Sequence, residues 1–263
     1  MHSKEDCMEA LIFDTHAHYD AEAFDEDRDE LLARLPEKGV CGIINNGTDF
    51  ETSALSIKLA ETYDYIYAAA GIHPELAANF RAEDMEKLRP LLAHPKTVAL
   101  GEIGLDYHYE DACPREQQKE IFEAQLRLAN ELDMPVIIHD REAHGDTMDL
   151  LRKYRPKGTL HCFSGSVEMA REIIRLGLYI GLGGVVTFKN ARHSVEVAAD
   201  IPLDRLLLET DAPYMAPVPF RGKRCDSSMI VYVADRIAQI RGLTTSEVLA
   251  ATKENARRLY QIS

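Results

Sequence analysis

His16 and His18 close the first apolar run of the chain, Leu11-Ile12-Phe13-Asp14-Thr15-His16-Ala17-His18. In a strand, side chains alternate between faces with a period of two. Asp14, His16 and His18 are therefore expected on one face, with the two imidazoles last in line. Two neutral imidazoles converging where a strand ends are the beginning of a metal site. Such a site needs further ligands, and other elements must bring them.

Eight apolar, β-branched runs end in Gly, Asn, His or Asp: 11–18, 39–48, 65–73, 97–106, 134–139, 157–163, 179–187 and 206–211. Amphipathic segments separate them, near 25–35, 50–62, 82–92, 142–154, 167–176 and 189–199. The clearest starts at Pro114, a favoured first-turn residue, and puts Ile121, Phe122, Gln125, Leu128, Ala129 and Leu132 largely on one face. The tail 244–260 opens with Thr244-x-x-Glu247, a capping-box pattern. Strand and helix alternate eight times, which argues for a parallel sheet with helices outside. In 263 residues, eight units favour an α/β fold closed as a (β/α)₈ TIM barrel. No Gly/Ser- or Pro-rich linker divides the chain, so residues 1–263 read as one domain, with 1–10 as a short polar extension. The stretch from Asp211 to Ser227, with Pro213, Pro217 and Pro219, reads as a constrained loop on the side where barrel active sites form.

The ends of barrel strands share one rim. Strand one brings His16 and His18 there, and strand three brings His73. Strand four adds Glu102 and then Asp106; strands five, six and eight add His139, His161 and Asp211. Any one alone is more often a hydrogen-bonded core or loop residue. Six N/O ligands together exceed the needs of one tetrahedral zinc and suit two divalent cations about 3.5–4 Å apart, bridged by a carboxylate. Glu102 is the bridge candidate. His16, His18 and Asp211 would hold one cation, and His139 and His161 the other. Water acidified by the cations would be the nucleophile, with Asp211 as ligand and general base. Asp14, one layer deeper, is placed either to accept from an imidazole N–H or, equally, to bond backbone as a buried carboxylate. Ligand types do not choose among magnesium, manganese and zinc.

Composition narrows the field. Apolar residues make up 46% and charged residues 28%, which is ordinary for a globular protein. The formal charge of −14 speaks against nucleic-acid binding through a broad basic surface. Positive charge for a phosphate must come from metal or from a local cluster. The five cysteines are odd in number and form no C-x-x-C, which points to a reducing compartment. The polar N-terminus and the lack of any long apolar run point to a cytoplasmic protein that does not enter membranes.

Six segments carry a resemblance: Asp14-Thr15-His16-Ala17-His18, Gly71-Ile72-His73-Pro74, Gly101-Glu102-Ile103-Gly104-Leu105-Asp106-Tyr107, Ile138-His139, His161-Cys162-Phe163-Ser164-Gly165 and Glu209-Thr210-Asp211-Ala212-Pro213-Tyr214. In order and spacing the chain resembles the TatD family of metal-dependent deoxyribonucleases, from about Leu11 to Tyr260. The resemblance implies an amidohydrolase-like TIM barrel that hydrolyses phosphodiester bonds of DNA, commonly as a 3′→5′ exonuclease on single strands. It carries the family's metal ligands onto His16, His18, Glu102, His139, His161 and Asp211, with none missing.

The same metal chemistry admits a second substrate, since a D-aminoacyl-tRNA deacylase activity is reported within the family. A third possibility is a non-catalytic barrel with a degenerate metal site, which the complete ligand set opposes. After strand eight the family usually continues Arg-Gly-Lys-Arg-Asn-Glu-Pro. Here Arg221-Gly222-Lys223-Arg224 is kept, but Cys225-Asp226-Ser227 follows. Arg221, Lys223 and Arg224 are candidate phosphate contacts, as are Arg141 and His73. Tyr107, Phe163 and Tyr214 are candidates for stacking on bases. Cys162, next to His161, is expected to point into the helix layer as packing. The sequence shows no obligate protein partner.

Overall fold

The computed structural model describes residues 11–109 and 113–262; the extension expected over 1–10 lies outside the described residues. The eight strands are β1 (Ile12–Ala17), β2 (Val40–Asn46), β3 (Ile66–Ala70), β4 (Thr97–Asp106), β5 (Val136–Arg141), β6 (Gly158–Leu160), β7 (Tyr179–Leu182) and β8 (Leu206–Leu208). They pair in sequence order and in parallel. The seam between β8 and β1 is held by single bonds: His18 N–H donates to Ala212 O at 2.7 Å and Asp211 N–H to His16 O at 2.9 Å. Below them, Thr15 Oγ1 donates to Leu208 O at 3.0 Å. The result is a nearly closed (β/α)₈ barrel.

Helices α1 (Arg28–Arg34), α2 (Phe50–Thr62), α3 (Arg89–Leu92), α4 (Arg115–Glu131), α5 (His144–Tyr154), α6 (Val167–Arg175), α7 (Arg192–Asp200), α8 (Ile230–Arg241) and α9 (Thr245–Tyr260) form the outer layer. Thr244 caps α9 in the expected box with Glu247. Pro114 stands just outside α4, at its N-cap. The segment 82–92 is mostly a 3₁₀ helix, Ala82–Leu88, followed by the single turn α3. Helix α8 was not among the expected elements, although Ile230, Val233, Ala234, Ile237 and Ala238 are all buried at helical spacing.

Two interior layers matter for function. The lower one is apolar: Phe13, Ile44, Ala69, Ala99, Ile137, Tyr179 and Leu207 pack together against Ala256 and Tyr260 of α9. The upper one opens at the strands' C-terminal ends. Strands β6, β7 and β8 stop short of the runs 157–163, 179–187 and 206–211, so His161 and Asp211 lie beyond the last paired residues. His139 instead lies inside β5, which continues to Arg141.

Candidate metal centre

Glu102 stands at the centre of the upper layer, 3% exposed. Its Oε2 is 3.3 Å from His16 Nε2 and 3.4 Å from His18 Nε2. Its Oε1 is 2.8 Å from His161 Nε2, 2.9 Å from His139 Nδ1 and 3.5 Å from His73 Nε2. Asp211 Oδ1 lies 3.5 Å from His18 Nε2 and 3.8 Å from His16 Nε2. Three groups have donor atoms within 4.8 Å of one another: His16 with His18 and Asp211, His16 with Glu102 and His161, and His73 with Glu102 and His139. The imidazole nitrogens also face each other, His16 Nε2 to His18 Nε2 at 3.0 Å and His139 Nδ1 to His161 Nε2 at 3.2 Å. Nitrogen lone pairs and carboxylate oxygens converging in this way make a donor set that fits a divalent cation.

The outer bonds of each imidazole decide which nitrogen is free. His18 Nδ1 lies 2.9 Å from Asn46 O. A carbonyl only accepts, so Nδ1 donates to it and Nε2 faces Glu102 and Asp211; burial pushes this imidazole down, but the two carboxylates outweigh that and hold it well above its ordinary value. His139 Nε2 lies 2.9 Å from Asp106 Oδ2, which points Nδ1 at Glu102 Oε1, also 2.9 Å away, in a carboxylate–histidine arrangement typical of metal sites. His73 is the reverse. Its Nδ1 accepts from Glu75 N–H at 3.3 Å, so a neutral His73 holds its proton on Nε2 and aims a donor at Glu102. His16 Nδ1 and His161 Nδ1 have no hydrogen-bond partner among the described residues.

Electrostatics follow from this crowding. Burial pushes the Glu102 carboxyl up, but His161, His16 and His73 around it and the His139 bond outweigh that and hold it well below the usual range. Burial pushes His139 down, and Asp106 and Glu102 reverse this, raising it to about 10. His16 and His161 stack with ring centres 3.8 Å apart. Burial and the charge on His161 push His16 down to about 4, so the two stacked rings are not both positively charged. Glu209 lies beneath them, fully buried, and desolvation raises it to about 8. Its Oε1 accepts from Cys162 N–H and is 3.8 Å from His161 Nδ1. Gly181 makes room for it: a Cβ there would sit 2.3 Å from Glu209 Oε2. Asp106 and Glu209 had no assigned role in the sequence pattern. Their strand-end position on the interior face was the available signal.

The centre forms the floor of a cleft of about 990 Å³. His18, His73, Glu102, His139, His161 and Asp211 line it, together with Arg141, Phe163 and Tyr214. Tyr109, in place of the expected Tyr107, reaches the same cleft and lies under the Arg141 guanidinium at 5.1 Å. Tyr107 turns outward and donates to Asp146 Oδ2 at 2.6 Å, as alternation after Asp106 requires.

The basic triplet is not brought to the cleft. Arg224 holds the Asp27 carboxylate at 2.7 and 2.5 Å. Arg221 lies over the Phe188 ring, and Lys223 does not line the cleft. Cys162 lines the cleft instead of packing outward. The strand has ended before it, and its φ of 43° breaks the alternation. Asp14 also departs from the expected face. Between Asp14, opposite Ile43, and Ala17, opposite Asn45, β1 carries one extra residue, a bulge that interrupts the period of two. The Asp14 carboxylate accepts from Thr210 Oγ1 and Ser227 Oγ, each at 2.6 Å, and from the N–H groups of His16 and Thr210. No imidazole is among these partners. Burial raises Asp14 to about 6. It ties β1 to the loop that presents Asp211.

An eight-stranded parallel barrel with a His/Glu/Asp cluster at the strands' C-terminal ends has the build of a metal-dependent hydrolase. The family model of TatD related DNase matches residues 13–261. A protein of Bacillus subtilis (strain 168) described as the uncharacterized metal-dependent hydrolase YabD is 44% identical over 256 residues, covering 96% of this chain and 100% of that protein. The 3′-5′ ssDNA/RNA exonuclease TatD of Cronobacter sakazakii is 38% identical over 260 residues, covering 95% of this chain and 97% of that protein. The crystal structure of YJJV, a TatD homolog from Escherichia coli K12, superposes with a TM-score of 0.90 at 34% identity, covering 97% of this chain and 99% of that one. The chain belongs to the TatD related DNase family and is a metal-dependent hydrolase. No helix among the described residues is long and apolar enough to cross a membrane.

Proposed function

We propose that this chain is a two-metal nuclease that removes nucleotides from the 3′ end of single-stranded DNA. One observation carries the reading: the two oxygens of Glu102 face different donor sets, Oε2 toward His16 and His18 and Oε1 toward His139 and His161. A bridging carboxylate between two cations is arranged in this way. His16, His18 and Asp211 would hold one cation, and His139 and His161 the other. Bound there, the cations supply Lewis-acid polarisation of the phosphoryl oxygens and a more acidic water.

The chain's own groups do the rest. Asp211 is buried except toward the cleft and accepts the proton of the attacking water at its carboxylate. Arg141, on the cleft wall, meets a phosphate oxygen. His73 offers an Nε2–H on the opposite wall. Tyr214 is 60% exposed at the mouth, and with Phe163 it supplies aromatic faces that stack on bases without reading sequence. All four described cysteines, Cys41, Cys113, Cys162 and Cys225, are free thiols, as a cytoplasmic setting would keep them.

End-labelled single-stranded DNA, incubated with magnesium, manganese or zinc in turn, tests this reading. The expected result is a ladder shortening from the 3′ end in at least one metal and none in chelator. Cleavage of a D-aminoacyl-tRNA ester with no DNA laddering in any metal would overturn it.

A further inference from the structure

Two glutamines on the buried face of α4 stand out from the apolar residues around them. Gln118 is 1% exposed and Gln125 fully buried. They are seven residues apart, two helical turns on one face. Each side-chain amide brackets the N–H and C=O of one backbone residue, and Gln118 reaches a second carbonyl besides. Gln118 Oε1 accepts from Asp106 N–H at 2.8 Å, and its Nε2 donates to Asp106 O at 2.7 Å and to Cys113 O at 3.0 Å. Gln125 Oε1 accepts from Ile72 N–H at 2.8 Å, and its Nε2 donates to Ile72 O at 3.0 Å.

Both contacts fall where a strand gives way to a loop. Strand β3 ends at Ala70 and β4 at Asp106; Ile72 lies past the β3 ladder, and Asp106, still paired with Arg141 of β5, has no β3 partner on its other side. A buried peptide group needs a partner, and a primary amide offers one acceptor and one donor side by side. Asparagine is one methylene short of the same reach, and an ionised glutamate would oppose the carbonyl.

The two clamped residues are the roots of two cleft walls. Asp106 accepts from His139 Nε2 and thereby orients Nδ1 toward Glu102. Ile72 precedes His73, whose Nε2 faces the same carboxylate from the other side. Gln117, next along α4, donates to Ala77 O at 3.2 Å and Phe80 O at 3.2 Å, holding the turn that follows His73. We infer that Gln118 and Gln125 are positioning residues, with α4 acting as a common ruler that sets His139 through Asp106 and His73 through Ile72. The inference rests on the metal reading of the centre.

Manganese titration by calorimetry tests it, because this readout does not depend on turnover. Gln118→Met, equal in length and apolar, is expected to weaken manganese binding about tenfold, the lower end of what loss of an outer-shell partner costs. On an Asp106→Ala background the same substitution is expected to weaken it no further, because both changes cut one chain of contacts. Gln125→Met is expected to leave manganese affinity within about twofold and lower kcat/KM for single-stranded DNA about tenfold through a displaced His73, with no added loss on His73→Ala.

Asn255→Leu is the control for lost stability. Its amide donates to Leu203 O and Leu206 O at the opposite end of the barrel, and it should keep wild-type manganese affinity. Additive losses in the double variants overturn the inference, as does an equal loss in Asn255→Leu. Manganese uptake by the unmodified chain without DNA cleavage overturns the nuclease reading and leaves Gln118 to be decided by titration. No uptake of manganese by the unmodified chain overturns both.

Discussion

The two ends of the barrel interior are made of opposite materials, although the same strands supply them. On β5, Ile137 belongs to the lower apolar layer and His139 to the metal centre. From β8, Leu207 belongs below, and Glu209, two residues on, lies above it. Two residues are a rise of about 6.6 Å. Over that height the interior passes from side chains that fill space to side chains that bond and titrate. The lower layer gains from leaving water. The upper layer loses by it, because buried carboxylates and imidazoles are desolvated. It persists because the groups pair with one another and because the layer beneath holds the strands in place.

Substitutions should therefore separate function from stability by height. The largest effect is expected at the top. Glu102→Ala or Asp211→Ala should lower DNA hydrolysis by at least about a thousandfold, the equivalent of several kcal/mol of charge stabilisation, with thermal unfolding near that of the parent. Near-parental activity in a folded, metal-loaded variant would remove these residues from the mechanism. Below, Phe13→Ala should cost roughly 3–5 kcal/mol, as large-to-small core changes do, measured by denaturant unfolding. The folded fraction should keep its kcat within about twofold. If Phe13→Ala instead lost activity without losing stability, the two layers would not be independent.

The barrel was legible in the sequence because eight repeats of one strand-and-helix rhythm leave few alternatives. The rim residues were legible because that topology gathers strand ends whatever their separation in sequence. What escaped depended on single residues or on distant partners. One extra residue between Asp14 and Ala17 turned Asp14 toward the Thr210 and Ser227 hydroxyls. A left-handed residue after a short strand turned Cys162 into the cleft. Gln125 was counted with an apolar face, because spacing reports where a side chain points and not what it bonds. Arg224 found Asp27, 197 residues earlier, and no local pattern signals such a pair.

That last case divides the cations of the molecule into cleft and outer loop. Arg141→Ala should weaken single-stranded DNA binding at least about tenfold, the lower end for loss of a charged hydrogen bond worth roughly 1.5–3 kcal/mol. Replacing Arg221 and Lys223 together should change binding less than about threefold, and the difference should vanish as salt screens it. Titration of labelled oligonucleotide at two salt concentrations measures both. A larger loss from the loop pair at high salt would return the triplet to the binding surface.

The smallest expected effect lies just outside the rim, where α5 begins. His144 Nδ1 is 2.8 Å from Asp140 Oδ2, and that bond raises the imidazole above its ordinary value despite partial burial. A histidine raised on folding adds stability that is fully present below its unfolded pKa and is lost as pH rises through the folded one. The side chain is 41% exposed, so the pair should contribute only a few tenths of a kcal/mol. His144→Gln should thus unfold slightly more easily than the parent at pH 5.5 and equally at pH 9, in urea titrations at both values. Its manganese affinity should stay at the parental level, because His144 does not line the cleft that holds the centre. A stability deficit that persisted at pH 9 would mean that packing, and not the charged pair, sets this residue's contribution.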